Sequence, residues 1–344
     1  MRHGDDAIDV HGDHGLLLMR AALLALLLCA CGDTGGGGGP IPLDQLQVAY
    51  KAYYCNLYVR CGLVDDLITC SKAGQNDFAD ADLIAAAEAG TVVYDGAAAA
   101  ECLAGLTASC DRTLQNFTPD ACDRVFGGTV GDLGTCAINR ECLSNSCAVT
   151  PCSTTCCEGG CQGSSPPVRP TLGQSCLTNP NCVDSYCDLN TNTCSAYIPA
   201  GASCPFGGSC ARGLECSNGT CMQLPATGAP CTQLYDCSSI GDYCGASATC
   251  TPYGLTGSAC TSDVMCAPWY RCDTTTSECA LRPVAGDSCD NASCIDASYC
   301  DATTQKCVAL LPAGAGCTSI EQCQSMQCGD STTPNVCIAP TYCY

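Results

Sequence analysis

Gly257-Ser-Ala-Cys260-Thr-Ser-Asp-Val-Met-Cys266-Ala-Pro-Trp-Tyr-Arg-Cys272-Asp-Thr-Thr-Thr-Ser-Glu-Cys279 is one copy of a pattern that recurs six times between residues 172 and 344. Each copy opens with Gly-x-x-Cys. The opening cysteines are Cys176, Cys204, Cys231, Cys260, Cys289 and Cys317, spaced 28, 27, 29, 29 and 28 residues apart. Three further cysteines follow within each copy: Cys182, Cys187 and Cys194; Cys210, Cys216 and Cys221; Cys237, Cys244 and Cys250; Cys266, Cys272 and Cys279; Cys294, Cys300 and Cys307; Cys323, Cys328 and Cys337. A register held at one period is the signature of a modular array rather than of a single large core.

The unit quoted above has Val264, Met265, Trp269, Tyr270 and Leu281 as its bulky apolar residues, too few to enclose an interior. Small exported domains of this kind are held by disulfides. Between the third and fourth cysteines, Asp188, Asp273 and Asp301 stand early in the segment and threonines follow, which predicts a short β-hairpin. Cys216-Ser-Asn-Gly-Thr-Cys221 carries an Asn-Gly turn, the strongest short hairpin signal. Spacing alone leaves the pairing of the four cysteines open.

Upstream the period changes. In residues 43–130, Leu43, Leu46, Tyr50, Tyr53, Tyr54, Leu57 and Cys61 fall on one helical stripe that stops at Gly62, and the tyrosines read as core. Asp65 to Cys70, Phe78 to Ala89, and Ala97 to Leu106 capped by Asp95 read as further helices, with a last turn over Asp120 to Phe126. Cys55, Cys61, Cys70, Cys102, Cys110 and Cys122 predict a small all-α bundle with three bridges. Residues 131–161 form an irregular module that begins Cys136, Cys142 and Cys147 and continues through Cys152, Cys156, Cys157 and Cys161. Residues 162–171 are a Pro-rich linker, expected to be extended. Pro- and Gly-containing joints such as Ile198-Pro-Ala-Gly and Leu311-Pro-Ala-Gly punctuate the six repeats of 172–344.

The amino-terminal stretch speaks of cellular address. Asp5, Asp6, Asp9 and Asp13 put acid where a signal peptide needs base, whereas Met19-Arg followed by Ala21 to Leu28 has the basic and apolar regions in order. Residues 1–30 therefore read as a leader plus signal peptide with translation starting at Met19. Leu28-Cys29-Ala30-Cys31 resembles the bacterial lipobox, in which the cysteine after a small residue is acylated and becomes the mature terminus. That assigns lipidation to Cys31, since Leu28 is too large to precede a cleaved Cys29. An ordinary secretory signal and a membrane anchor are the rival readings, the latter weakened by a run well short of about 20 residues. Residues 31–42, with five consecutive glycines from Gly35 to Gly39, read as a flexible tether.

Composition narrows the function classes. Forty cysteines in 344 residues belong to a disulfide scaffold, and setting aside Cys29 and Cys31 leaves an even number. Seven cysteines in the irregular module and five in the last repeat, counting Cys343, imply one bridge between modules or two odd thiols. A net charge of −21 argues against nucleic acid and anionic lipid as ligands. All three histidines, His3, His11 and His14, precede Met19, so the exported chain lacks the base of Ser-His-Asp and Cys-His catalysis and of histidine zinc sites. No Cys-x2-Cys redox or zinc-knuckle motif occurs. Asp188-Leu-Asn190-Thr-Asn192 opens like an EF-hand loop but has Thr193 in place of the required Gly and Pro199 in place of the bidentate Glu. Sequons at Asn116, Asn218 and Asn291 matter only in a eukaryotic secretory route. Trp269-Tyr270, the conspicuous aromatic pair, reads as packing within its own unit.

The modules from Cys136 onward, with Tyr186-Cys-Asp, Tyr299-Cys-Asp and the Cys156-Cys157 doublet, resemble the Dickkopf N-terminal cysteine-rich domain. The whole layout is similar to bacterial envelope lipoproteins with such repeats. The animal domain antagonises Wnt signalling; repetition of the module, varied spacing and a bacterial anchor mean that this activity and its residues are not carried over. The expected function is a non-enzymatic, lipid-anchored cell-envelope protein, sited at the outer membrane, that displays stapled repeats for adhesion, scaffolding or recognition. Its expected partners are the membrane, through N-terminal acyl chains, and a protein or glycan ligand; no cofactor, metal or nucleic acid is expected. The alternatives are a secreted signalling or inhibitory ligand of Dickkopf type, and an enzyme or redox protein with an unrecognised site in 43–130.

Overall fold

Each repeat is a hairpin whose two strands carry the third and fourth cysteines directly opposite one another: Cys187 faces Cys194, Cys216 faces Cys221, Cys244 faces Cys250, Cys272 faces Cys279 and Cys300 faces Cys307. Cross-strand partners share a face, so both sulfurs point toward the segment that holds the first two cysteines. The bridges then cross in one order throughout, first to third and second to fourth: Cys176–Cys187 and Cys182–Cys194, Cys204–Cys216 and Cys210–Cys221, Cys231–Cys244 and Cys237–Cys250, Cys260–Cys272 and Cys266–Cys279, Cys289–Cys300 and Cys294–Cys307, Cys317–Cys328 and Cys323–Cys337. The coordinates are a computed structural model that describes residues 39–72, 81–106, 108–114, 119–149, 158–177, 182–205, 208–289, 294–295, 298–312, 314–324, 327–329 and 335–337. Met19, Cys29, Cys31 and Gly35 to Gly38, with Cys152, Cys156, Cys157 and Cys343, lie outside these residues.

The opening Gly-x-x-Cys has a backbone reason. Gly257 closes a turn in which Ser258 N donates to Leu255 O at 2.9 Å, with a φ of +78° that suits glycine. The chain then runs antiparallel to the hairpin's second strand: Gly257 N donates to Cys279 O, Cys279 N to Ser258 O and Cys260 N to Ser277 O. The same three bonds recur in every repeat, as in Gly173, Cys194 and Cys176 of the first. Six residues before the opening cysteine, the joint pairs alongside the second cysteine. Gly254 N donates to Met265 O and Gly254 O accepts from Ala267 N; Ile198 and Leu311 do likewise. Where that residue is Pro170, Pro225 or Pro283, only the accepting half survives, because proline has no N–H. The Pro-containing joints are thus part of the repeats they introduce.

The hairpin strands are β6 Tyr186–Asp188 and β7 Thr193–Ser195, β8 Glu215–Ser217 and β9 Thr220–Met222, β10 Asp242–Cys244 and β11 Cys250–Pro252, β12 Tyr270–Asp273 and β13 Glu278–Leu281, and β14 Ser298–Asp301 and β15 Lys306–Ala309. Asn218 and Gly219 both have positive φ, 51° and 75°, as an Asn-Gly hairpin turn requires. Asp188, Asp273 and Asp301 each accept a backbone N–H two residues on, from Asn190, Thr275 and Thr303. The Asp188 segment is therefore a hairpin turn.

The preceding region is helical. Helix α1, Leu43–Arg60, ends where Gly62 takes a φ of +70°; Gly62 N donates to Val59 O and Leu63 N to Tyr58 O, a Schellman cap. Helices α2 Leu67–Lys72, α3 Ala81–Ala89 and α4 Gly96–Gly105 follow, and Asp95 caps the last by accepting from Ala97 N and Ala98 N. The expected turn over Asp120 to Phe126 ends at Arg124 as a 3-10 helix. Phe126 instead belongs to β2, Phe126–Gly128, paired with β1, Val92–Tyr94. The β-branched run Thr91-Val-Val after Gly90 is the strand signal there. The predicted bundle is therefore helical with a small antiparallel pair. Its three bridges are Cys55–Cys70, Cys61–Cys110 and Cys102–Cys122. Leu46, Ala86, Val92, Ala98, Ala99, Cys102, Ala121, Val125 and Phe126 form its core.

The irregular module is a three-stranded sheet of β3 Thr135–Cys136, β5 Gly159–Cys161 and β4 Cys147–Val149. Cys136 pairs with Cys147 and Cys142 with Cys161, so Cys161 is its fourth cysteine in the common order. Glu141 ties it to the helical region, accepting from Thr91 Oγ1 at 2.7 Å. In the linker, Arg169 makes ion pairs with Asp120 and Asp123 and donates to Cys182 O.

Candidate functional site

The helical region and the third and fourth repeats, far apart in sequence, are packed together within one unit that spans Pro40–Tyr344. The joining is by backbone as well as side chain. Asp111 and Ser239 form an antiparallel bridge, Arg112 N donates to Ser238 O, and Ile240 N donates to Cys110 O. Gly241 permits this approach, since a Cβ there would sit 1.9 Å from Cys61 O. The Cys61–Cys110 bridge holds the end of α1 to the same strand. Alongside, Tyr270 is 1% exposed; its hydroxyl donates to Asp65 Oδ2 at 2.9 Å and accepts from Asp65 N at 3.1 Å. Burial is the main cause that raises the Tyr270 phenol above its ordinary range. Cys55, Val64 and Cys70 share a core with Cys260, Cys266, Ala267, Tyr270, Cys272 and Cys279.

At this seam lies a groove of about 370 Å³. Its lining comes from three places. Tyr54 and Tyr58 are one turn apart on α1, with ring centroids 5.6 Å apart, and the Schellman cap brings Leu63 in beside them. Arg112 enters from the strand-like segment after Cys110; Tyr235, Ile240 and Tyr253 come from the third repeat and the joint that follows it. Pro268 and Trp269 come from the fourth, with Trp269 packed 4.9 Å from Tyr58 and its carbonyl accepting from Arg282 N. Tyr253 stacks on Tyr243 at 5.1 Å, and Arg112 Cζ lies 5.4 Å from the centre of the Tyr235 ring.

The electrostatics are those of a phenol-rich wall with one cation. Burial raises the Tyr58 and Tyr253 phenols, with Arg112 partly opposing the shift at Tyr253. Tyr53, beside the groove's Tyr54, is pushed up to about 12, mainly by burial, with its hydroxyl enclosed and unpartnered. Such an arrangement offers flat apolar faces, hydroxyl donors and a guanidinium.

The structure divides the readings of the sequence. On the α1 stripe, Leu46, Leu57 and, just past the helix end, Cys61 are buried as expected, but the tyrosines are only half-buried. Trp269 and Tyr270 pack against the helical region as well as within their own unit. Arg112, Tyr235 and Tyr253 had no signal in the sequence as a group; the i, i+4 pair Tyr54 and Tyr58 and the single tryptophan were its only traces. The sulfurs of each repeat cluster closely, those of Cys260, Cys266 and Cys279 within 4.8 Å of one another, but as paired bridges they offer no thiolate to a metal. No helix among the described residues is long and apolar enough to cross a membrane. Comparison of the chain with protein-family models, with curated proteins and with solved structures finds no match.

Proposed function

We propose that this chain is a non-enzymatic protein of the bacterial cell envelope, anchored through acyl chains on Cys31, that holds a stapled array of Dickkopf-like repeats outward for recognition of a partner. The observation that carries the reading is the repetition of one doubly bridged hairpin in the same order of pairing from Cys136 to Cys337. A fold that depends on so many bridges belongs in an oxidising compartment, and the apolar run before Cys31 is the means of reaching it. Recognition is favoured over a purely mechanical role by the aromatic groove, which exposes apolar and polar groups together at a seam between elements.

Mass spectrometry of the mature protein is expected to find acylated Cys31 at the terminus and almost no alkylatable thiol, and fractionation to find the protein pelleting with membranes. Release into the medium without acyl chains would replace this reading with that of a diffusible ligand. Abundant free thiols would remove it altogether.

A further inference from the structure

The groove's lining holds one cation and no acid. Acidic residues outnumber basic ones 34 to 13, yet Arg112 makes no ion pair among the described residues, and its Nε is enclosed without a hydrogen-bond acceptor. Asp242, a buried carboxylate of the third repeat, accepts from Thr227 Oγ1 through Oδ2 at 2.5 Å. Arg271 and Arg282 have the same enclosed Nε, so what sets Arg112 apart is its place in the aromatic lining, where a ligand would meet its terminal nitrogens. The Tyr235 ring lies against its guanidinium. Arginine's planar fork matches a carboxylate. Tyr54, Tyr58, Tyr253 and Trp269 line it beside Arg112, and phenolic hydroxyls can donate and accept.

We propose that this groove binds a carboxylated sugar ring, a uronic acid or similar acidic glycan terminus, with the carboxylate on Arg112 and the ring against the tyrosine and tryptophan faces. The inference rests on the recognition role proposed above and names its ligand class. A single acidic ring fits where a polyanion does not, because the net charge of −21 repels an extended one. The volume, at the lower end of small-molecule sites, suits one or two rings. A peptide carboxyl terminus would use Arg112 as well, and becomes an outcome of the test.

The chain has one tryptophan and it lines the groove, so intrinsic fluorescence reads this site directly. The full exported protein is titrated with sodium glucuronate, glucose, sodium acetate and a short peptide with a free carboxyl terminus. Saturable change with glucuronate is expected, at least tenfold tighter than with glucose or acetate. Arg112→Gln is expected to lower glucuronate affinity tenfold or more and to erase the preference over glucose. Tyr235→Ala, at a ring that is 61% exposed, tests the same wall should the arginine variant fail to fold, and is expected to weaken glucuronate several-fold. Equal response to glucose and glucuronate, preference for the peptide, response to acetate alone, or no response overturns the proposal. Any of these leaves acylation of Cys31 and membrane pelleting untouched, so the two readings fail separately.

Discussion

The helical region and the repeats solve the same problem with different materials. The helical core brings together nine buried residues, of which Cys102 is the lone cysteine. The buried cluster of the first repeat consists of Cys176, Cys182 and Cys194, and that of the sixth of Cys317, Cys323 and Cys337. One region excludes water with side chains and adds bridges; the other is bridged first and has almost nothing apolar to bury. The fourth repeat stands between them, because Tyr270 and Ala267 complete its interior with the help of Val64 and the Cys55–Cys70 bridge of the helical region.

Full reduction is the strongest way to break this contrast. Each native bridge of a small exported domain is worth about 2–5 kcal/mol, and a repeat that loses both has no packed interior left. Limited proteolysis after reduction is expected to cut the first, second, fifth and sixth repeats freely, while circular dichroism retains part of the helical signal. Repeats that stay resistant to protease when reduced would mean that packing, not sulfur, holds them. The converse experiment is Leu46→Ala, at a fully buried position of the helical core. Its cost is expected at about 2–5 kcal/mol, seen as faster hydrogen exchange in α1 and α4 with no change in the fifth and sixth repeats.

Much of this was open to reading before any coordinates. The period, the hairpins, the Asn218-Gly219 turn, the Gly62 stop and the Asp95 cap are local, and local chemistry leaves a local trace. The seam was not legible, because it joins Cys61 and Asp111 to Ser239 and Gly241, and Asp65 to Tyr270, across long stretches of chain. Nothing in a helical stripe distinguishes tyrosines that face a core from tyrosines that face another module. Arg112 is unremarkable in sequence and acquires meaning only from the rings that the fold gathers around it. The common order of the bridges was likewise hidden, because spacing permits three pairings of four cysteines.

The seam itself can be loosened without touching either core's bulk. Tyr270→Phe removes the hydroxyl that Asp65 both donates to and accepts from, leaving the Asp65 N–H without that acceptor and the exposed carboxylate with Thr256 Oγ1 as its remaining donor. A loss of about 1–3 kcal/mol is expected, concentrated in hydrogen exchange at residues 61–65 and in the fourth repeat. The same bond has a pH signature. The Tyr270 phenol is raised in the folded protein, so its contribution is complete below its ordinary value near 10 and is lost as pH rises beyond it. Wild-type exchange at the seam should therefore accelerate in alkali, whereas Tyr270→Phe should lose this group's share of that acceleration.

The smallest expected effects belong to backbone alone, and they separate turn geometry from both packing and sulfur. A Cβ at Gly257 would meet nothing within 4 Å, so Gly257→Ala adds no clash, only an L-residue at a φ of +78°. Its cost is expected at about 1–2 kcal/mol, felt in the fourth repeat. Gln305 carries the opposite sign: it holds a φ of +52° at the end of the fifth hairpin loop, where Gln305 N donates to Asp301 O at 2.8 Å. Gln305→Gly relieves that conformation, while glycine's greater freedom in the unfolded chain takes back about 0.4–1 kcal/mol. The net gain is expected to stay below about 1 kcal/mol. Because two bridges already restrict the unfolded fifth repeat, that entropic loss should be smaller here than in an uncross-linked hairpin. Thermal unfolding of the oxidised variants measures both. A destabilised Gln305→Gly would show that the side chain, and not the turn, was what the fifth repeat depended on.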